Sequence, residues 1–296
     1  MKSGVNVPEF LTMREAVGKY VHDGDTVYLA GFTHLIPFAI AHEIIRQGRR
    51  HLTLCRMTPD LVYDQMLAAG VADRLIFSYA GNPGLGNLHA FRRLVEEGAV
   101  AIEEYTHFEL VARLAAGAAG VPFWPLRSLP NDLTRGRPRP SVEDPFGGGE
   151  VPVVRALVPD VTLLHAHAAD EAGNVYARGL LGEVKEAAFA AGRVVVSVEE
   201  VVSERWLRED RDHLLIPGFR VDAVVACPFG AHPSYALGRY DRDTAFYLEW
   251  DDISRAADRT RAWLDRHIYG TADHEGYLAL LPAGRLADLE EAARRG

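Results

Sequence analysis

Residues 24–48, GDTVYLAGFTHLIPFAIAHEIIRQG, decide how this chain folds. Asp23, Gly24 and Asp25 read as a turn. Thr26 to Ala30 is an apolar run bounded by Gly31, the pattern of a buried strand and too short for a helix. Pro37 suits the first turn of a helix because it has no N–H to leave unbonded. From there Phe38, Ala41, Ile44 and Ile45 recur at helical spacing, and Gly48 is placed to cap the end. Strand, glycine turn and helix form the first βα unit of an open α/β sheet. Ligands of such sheets lie beyond the carboxyl ends of the strands, so substrate is expected at residues 31–37.

The same alternation continues outward. A helix is predicted over 9–21, with Thr12 as cap and Glu15 three residues on. Strands are predicted at 52–55, 74–79 and 100–102, with helices at 59–69, 89–97 and 108–119. The stretch 127–150 is rich in Pro, Gly and Arg and has no periodicity, so it reads as a long surface excursion. Strands then follow at 160–167, 193–198 and 221–226, with a turn at 170–174. Helices are predicted up to residue 191, over 200–209 and after 251. About seven βα alternations with no repeat predict one domain, 1–296, built on an open, mainly parallel, doubly wound sheet.

Composition bounds the function. The chain has 296 residues, enough for a large core, and 48% hydrophobic content with 25% charged residues is that of a globular protein. No apolar run reaches the roughly 18 residues that span a bilayer, and the first 16 residues lack the apolar core of a signal peptide. Two distant cysteines, Cys55 and Cys227, make neither a disulfide framework nor a paired zinc motif, and a cytoplasmic location is the expectation. A net charge of −9 argues against non-specific nucleic-acid binding, which needs a basic surface. It leaves room for a phosphorylated small molecule, whose phosphates helix N-termini or a local Arg pair can hold.

Several residues are placed for chemistry. The turn AGNPGLGN (80–87) lies between a strand and a helix, but His89 stands where a dinucleotide fingerprint needs its third glycine; a substrate-lining or an ordinary turn fits better. His165 and His167 share one face of a strand, with Asp170 and Glu171 nearby, yet no third His or Cys sits at ligand spacing, so no metal site is expected. Glu103 and Glu104 follow the strand predicted at 100–102, where a carboxylate can act as base or simply cap the next helix. Glu199 and Glu200 sit similarly, with capping favoured. The turn 228–234 presents His232 before Pro233 and then Ser234. No GxSxG elbow or Cys–His pair supports a hydrolase triad.

Eight stretches taken in order carry a family resemblance: AGFTHLIPFAIAHEIIRQG (30–48), GNPGLGN (81–87), FRRLVEEGAVAIEEY (91–105), GVPFWPL (120–126), EDPFGGGE (143–150), LLHAHAADEAGNV (163–175), VSVEEVVSE (196–204) and VDAVVACPFGAHPSYALGRYD (221–241). They resemble the α subunit of family I coenzyme A transferases, in particular the glutaconate type, over nearly the whole chain. The resemblance implies an open α/β sheet of the CoA-transferase type. It also implies ping-pong transfer of CoA between carboxylic acids, through a covalent glutamyl intermediate.

In the glutaconate type the attacking glutamate belongs to a β subunit, and no glutamate here stands in a Ser-Glu-Asn-Gly setting. A homologous partner chain, in an αβ or α₂β₂ assembly, is therefore implied, with acyl-CoA as substrate and no tightly bound cofactor. Gly31, Phe32 and Thr33 would form one substrate-lining turn and Ser78, Asn82 and Gly84 a second, with Glu104 and His232 at the rim. An alternative is the related ring-opening hydrolase of steroid catabolism, which uses an α-chain carboxylate near residues 102–108, where Glu103, Glu104 and His107 lie. A catalytically silent CoA-ester-binding subunit is the remaining reading.

Overall fold

The computed structural model describes residues 7–82, 84–126, 140–203 and 211–295. In chain order its strands are β1 (Glu9–Phe10), β2 (Thr26–Leu29), β3 (Leu52–Cys55), β4 (Ala72–Phe77), β5 (Ala101–Glu104), β6 (Phe123–Pro125), β7 (Ser141–Glu143), β8 (Glu150–Arg155), β9 (Val161–Asp170), β10 (Val175–Tyr176), β11 (Arg193–Val202), β12 (Leu214–Ile216) and β13 (Ala223–Ala226). The helices are α1 (Met13–Tyr20), α2 (Phe38–Arg46), α3 (Leu61–Ala68), α4 (His89–Glu96), α5 (His107–Ala119), α6 (Val184–Ala190), α7 (Thr244–Ser254), α8 (Ala257–Leu264), α9 (His274–Leu278) and α10 (Arg285–Arg295).

The main sheet runs β1-β13-β11-β9-β2-β3-β4-β5, with every neighbouring pair parallel; β10 and β12 add a short antiparallel corner. From β2 the chain winds one way through β3, β4 and β5, then returns to the other side of β2 through β9, β11 and β13. The sheet thus reverses its order at β2, and a crevice opens beyond the carboxyl end of a strand where order reverses. Both faces of the sheet are covered, as a parallel sheet requires. Successive β2 residues alternate: Val27 and Leu29 face the core of α1, α2, α3, α7 and α8, whereas Tyr28 and Ala30 face that of α5 and α6.

Three expectations change. The helix predicted over 9–21 begins only at Met13, because Thr12 and Glu15 close a capping box there. Glu9 and Phe10 are instead spent on the sheet edge, with Glu9 N–H donating to Asp222 O at 3.0 Å. The helix predicted over 200–209 does not start at Glu200: β11 continues to Val202, with Glu200, Val201 and Val202 in register with Ala168, Ala169 and Asp170 of the unusually long β9. Residues 204–209 of that expectation lie outside the described residues. The last helical region starts at Thr244 rather than after 251, where Asp243 accepts the Phe246 N–H at 2.9 Å.

Of the excursion 127–150, residues 127–139 lie outside the described residues. Its end is not without regular structure, since β7 joins β6 and β8 in a small antiparallel sheet. No helix among the described residues is long and apolar enough to cross a membrane.

Candidate active site

Segments leaving the carboxyl ends of β2, β3 and β4 lie side by side and enclose a cavity of about 60 Å³. Phe32 and Thr33 come from the first segment, Arg56, Thr58 and Asp60 from the second, and Gly81, Asn82 and Leu85 from the third; Arg242 and Tyr247 close it from the entry to α7. The space holds roughly four water-sized groups, enough for a carboxylate and a few carbons.

The first segment is held in a conformation that a free chain avoids. Gly31 turns with φ 111°, and a Cβ there would lie 2.9 Å from the carbonyl oxygens of both His34 and Leu35. Thr33 and Leu35 are left-handed, with φ of 59° and 51°, which costs a residue bearing a Cβ about 1–2 kcal/mol. Residues 230–237 brace the turn. The Ser234 hydroxyl donates to Thr33 O, Leu35 N–H to Tyr235 O, Ala39 N–H to Gly230 O and Leu237 N–H to His34 Nε2, each at 3.0 Å. Turns 31–37 and 228–234, read separately in the sequence, are therefore one construction.

The structure sorts the residues expected to meet substrate. Phe32, Thr33 and Asn82 line the cavity, and Gly31 shapes its first turn. Ser78 lies outside the lining, its hydroxyl donating to Met57 O at 2.7 Å and meeting His107 Nδ1 at 3.0 Å. Gly84 is exposed and also outside it. Its neighbour Gly86 abuts Asp251, whose carboxylate accepts the Asn87 N–H at 2.8 Å and meets His89 Nε2 at 3.0 Å, so this turn is anchored on α7. Glu103 and Glu104 point to opposite faces of β5 by the period of a strand. Glu103 pairs with Arg74 and Tyr105, and Glu104 is half-buried beyond the cavity lining.

His232, expected at the rim, is instead fully buried. Its Nδ1 meets the Tyr277 hydroxyl and its Nε2 meets Asp243, both at 3.0 Å, and Asp243 is also bonded by Arg285. The cap of α7 and helices α9 and α10 supply these partners from outside the 228–234 motif, so the motif alone does not show the burial.

A second network backs the bracing segment. Glu199 accepts from Tyr240 Oη at 2.6 Å and Phe229 N–H at 2.8 Å, and meets His165 Nε2 at 2.6 Å. Burial opposes its charge, yet these partners hold the carboxyl below its ordinary range. His165 Nδ1 meets the Ser197 hydroxyl at 2.8 Å, while His167 lies between Leu237 O and the Arg178 N–H. Both imidazoles of the HAH motif are thus committed to protein partners.

Burial pushes His34, His167 and His274 down to about 4 and His42 to about 3. These rings are neutral in the folded protein and take up a proton on unfolding at the ordinary value near 6.5. The unfolded chain therefore binds more protons between about pH 6.5 and 4, so stability is complete above that window and falls as pH drops through it. Thermal melts should show a flat Tm above about pH 7 and a steady decline below about 6.5. A Tm unchanged down to about pH 4.5 contradicts these buried neutral histidines.

The coenzyme A transferase family model matches residues 10–227. The chain belongs to this family. The A-subunit of 3-oxoadipate CoA-transferase from Pseudomonas knackmussii is 47% identical over 94% of this chain and 99% of its own. The A-subunit of glutaconate CoA-transferase from Acidaminococcus fermentans is 32% identical over 95% of this chain and 94% of its own, and the crystal structure of that transferase superposes with a TM-score of 0.90, covering 95% of each chain. The cholesterol ring-cleaving hydrolase IpdA subunit of Rhodococcus jostii is 25% identical over 89% of this chain and 93% of its own.

Three charged residues of the cavity lining, Arg56, Asp60 and Arg242, were not singled out by the sequence. Arg56 and Asp60 flank the MTP stretch after β3, and Arg242 precedes α7. A charged residue immediately after the apolar strand LTLC was the available signal for Arg56, since β3 is central and its carboxyl end opens on the crevice.

Proposed function

We propose that this chain is the α subunit of a heteromeric CoA-transferase that moves CoA between short dicarboxylic or oxo acids. The attacking glutamate comes from a homologous β subunit. One observation carries the half-site reading: Asp60 is the only carboxylate lining the cavity among the described residues, and it is already engaged. Its Oδ1 accepts the Val62 N–H at 3.3 Å as the cap of α3 and the Arg56 Nη1–H at 3.2 Å. These bonds give Asp60 a structural task, as cap of α3 and partner of Arg56. The full-length likeness to a 3-oxoadipate transferase subunit supports the substrate class.

In this reading the partner's glutamate adds to the thioester carbonyl of acyl-CoA and expels the CoA thiolate, leaving an acyl anhydride. The thiolate then attacks the glutamyl carbonyl of the anhydride, which releases the acyl carboxylate and leaves a glutamyl-CoA thioester. The incoming acid runs the two steps in reverse. This chain contributes one wall: Gly31, Phe32 and Thr33 lie along the acyl group, and fixed donors of its turns face oxygen atoms where charge develops. Acyl-CoA enters as substrate rather than as a resident cofactor. The hydrolase alternative needs an α-chain carboxylate such as Glu104 at the reacting carbon, and Glu104 is not part of the cavity lining.

The purified chain should exchange no CoA, and co-expression with the homologous chain should restore exchange. Hydroxylamine or borohydride trapping during turnover should place the label on a glutamate of the partner. Label on Glu104, or full turnover by the isolated chain, contradicts the proposal. Tight acyl-CoA binding without turnover by the complex would favour the silent-subunit reading.

A further inference from the structure

Arg56 is fully buried, yet only one of its nitrogens is matched. Nη1 donates to Asp60, while Nε and Nη2 have no hydrogen-bond partner. Leaving a buried cationic donor unsatisfied is costly, so such an edge calls for further acceptor oxygens beyond the Asp60 carboxylate. Asn82, also buried, stands in the same cavity with its Nδ2 unpartnered and its Oδ1 accepting the Leu61 N–H at 2.9 Å. The first N–H groups of α3 are therefore taken by Asn82 and Asp60, and the helix end is not what receives an anion. The donors left over are the Nε–Nη2 edge of Arg56 and the Asn82 amide. Arg242, at the cavity wall, adds a second positive charge.

Two parallel N–H bonds from one guanidinium edge match the two oxygens of a carboxylate. We propose that Arg56 and Asn82 form an anchor for the free carboxylate of the acid, the one not joined to CoA. This makes Arg56 the residue that selects dicarboxylic over monocarboxylic acids. The inference rests on the transferase reading for the identity of the ligand, and it names the residue behind the substrate class. The competing explanation is a structural arginine whose edge is satisfied by trapped water.

The test uses the co-expressed complex and matched acid pairs as CoA acceptors from acetyl-CoA: succinate with butyrate, glutarate with pentanoate, adipate with hexanoate. The wild-type complex should prefer the best diacid over its partner by roughly 10–100-fold in kcat/KM, the range expected for a charge-assisted contact. In Arg56→Gln that ratio should fall toward one. Arg56→Lys, which keeps the charge without the planar edge, should fall between. Asn82→Ala should lower the ratio by a smaller factor. Equal losses for both acids of a pair, with the ratio intact, would mark a structural arginine and overturn the proposal.

Thermal shifts separate this inference from the transferase reading. If the wild-type complex transfers no CoA but a diacid raises its Tm more than the matched monoacid, and Arg56→Gln abolishes the difference, the anchor stands and the transferase reading falls. Transfer by the wild type with a ratio near one overturns the anchor alone. Should Arg56→Gln fail to fold, the wild-type ratio together with Arg56→Lys and Asn82→Ala still decides. No transfer and no diacid-specific shift overturns both.

Discussion

Replacing Gly31 with alanine should cut CoA transfer by the co-expressed complex at least ~100-fold and lower its thermal stability as well. Two effects act together. A φ of 111° lies outside the conformations open to an L side chain, which costs roughly 1–3 kcal/mol. The added Cβ would then sit 2.9 Å from two carbonyl oxygens and 3.1 Å from the Ile36 Cα, all backbone atoms that no rotamer change can move aside. Relief requires the turn to shift, carrying Phe32 and Thr33 with it. A displacement of about 1 Å at a positioned site is enough for a hundredfold loss. Gly70→Ala is the control: its φ of 70° is also left-handed, but nothing lies within 4 Å of where the alanine Cβ would sit, so only a stability cost near ~1 kcal/mol is expected. Comparable losses of activity in both variants would show that the close approach at Gly31 is not what shapes the turn.

Glu199→Ala should be the most destabilising single change in the network behind the site, by about 3–5 kcal/mol. The substitution strands the Tyr240 hydroxyl, the Phe229 N–H and one nitrogen of His165 in the interior at once, and each loses a partner now at 2.6–2.8 Å. For a chain of this size the corresponding drop in Tm is on the order of 10 °C. Glu199→Gln keeps one acceptor oxygen but turns a donor toward donors, so it should lie between Ala and the parent. The effect should also reach the active site, because Phe229 to Tyr240 is the segment that braces turn 31–37. An Ala variant that melts within about 2 °C of the parent would show that these contacts carry no net weight.

Much of the fold was legible because its signals are local. The strands of the first four βα units and their glycine stops come from short-range patterns, and Thr12 with Glu15 marks a helix start by side-chain chemistry alone. The misreadings fall where a distant segment decides. Glu9 and Phe10 look like a helix start until β13 offers them a partner. Glu200 looks like a cap until β9 proves long enough to pair with it.

The site divided along the same line. Phe32, Thr33 and Asn82 could be placed because they follow strands of the central sheet. The burial of His232 depends on Tyr277, Asp243 and Arg285, none of which its own motif foretells. Arg56 was overlooked because a lone arginine after a strand is ordinary in sequence; its unmatched edge exists only in three dimensions.

The reversal of strand order at β2 also bears on how the chain is made. Val27 pairs on one side with Leu54 and on the other with Val161. At translation rates of about 5–20 residues per second, the second partner leaves the ribosome roughly 5–20 s after the first. During that interval the nascent chain carries its most central strand as a bare edge, with open N–H and C=O groups ready to pair with another chain. The bracing residues 230–237 arrive later still. The switch point that creates the crevice thus also sets an order of assembly, since the sheet can close around β2 only after Val161 has emerged.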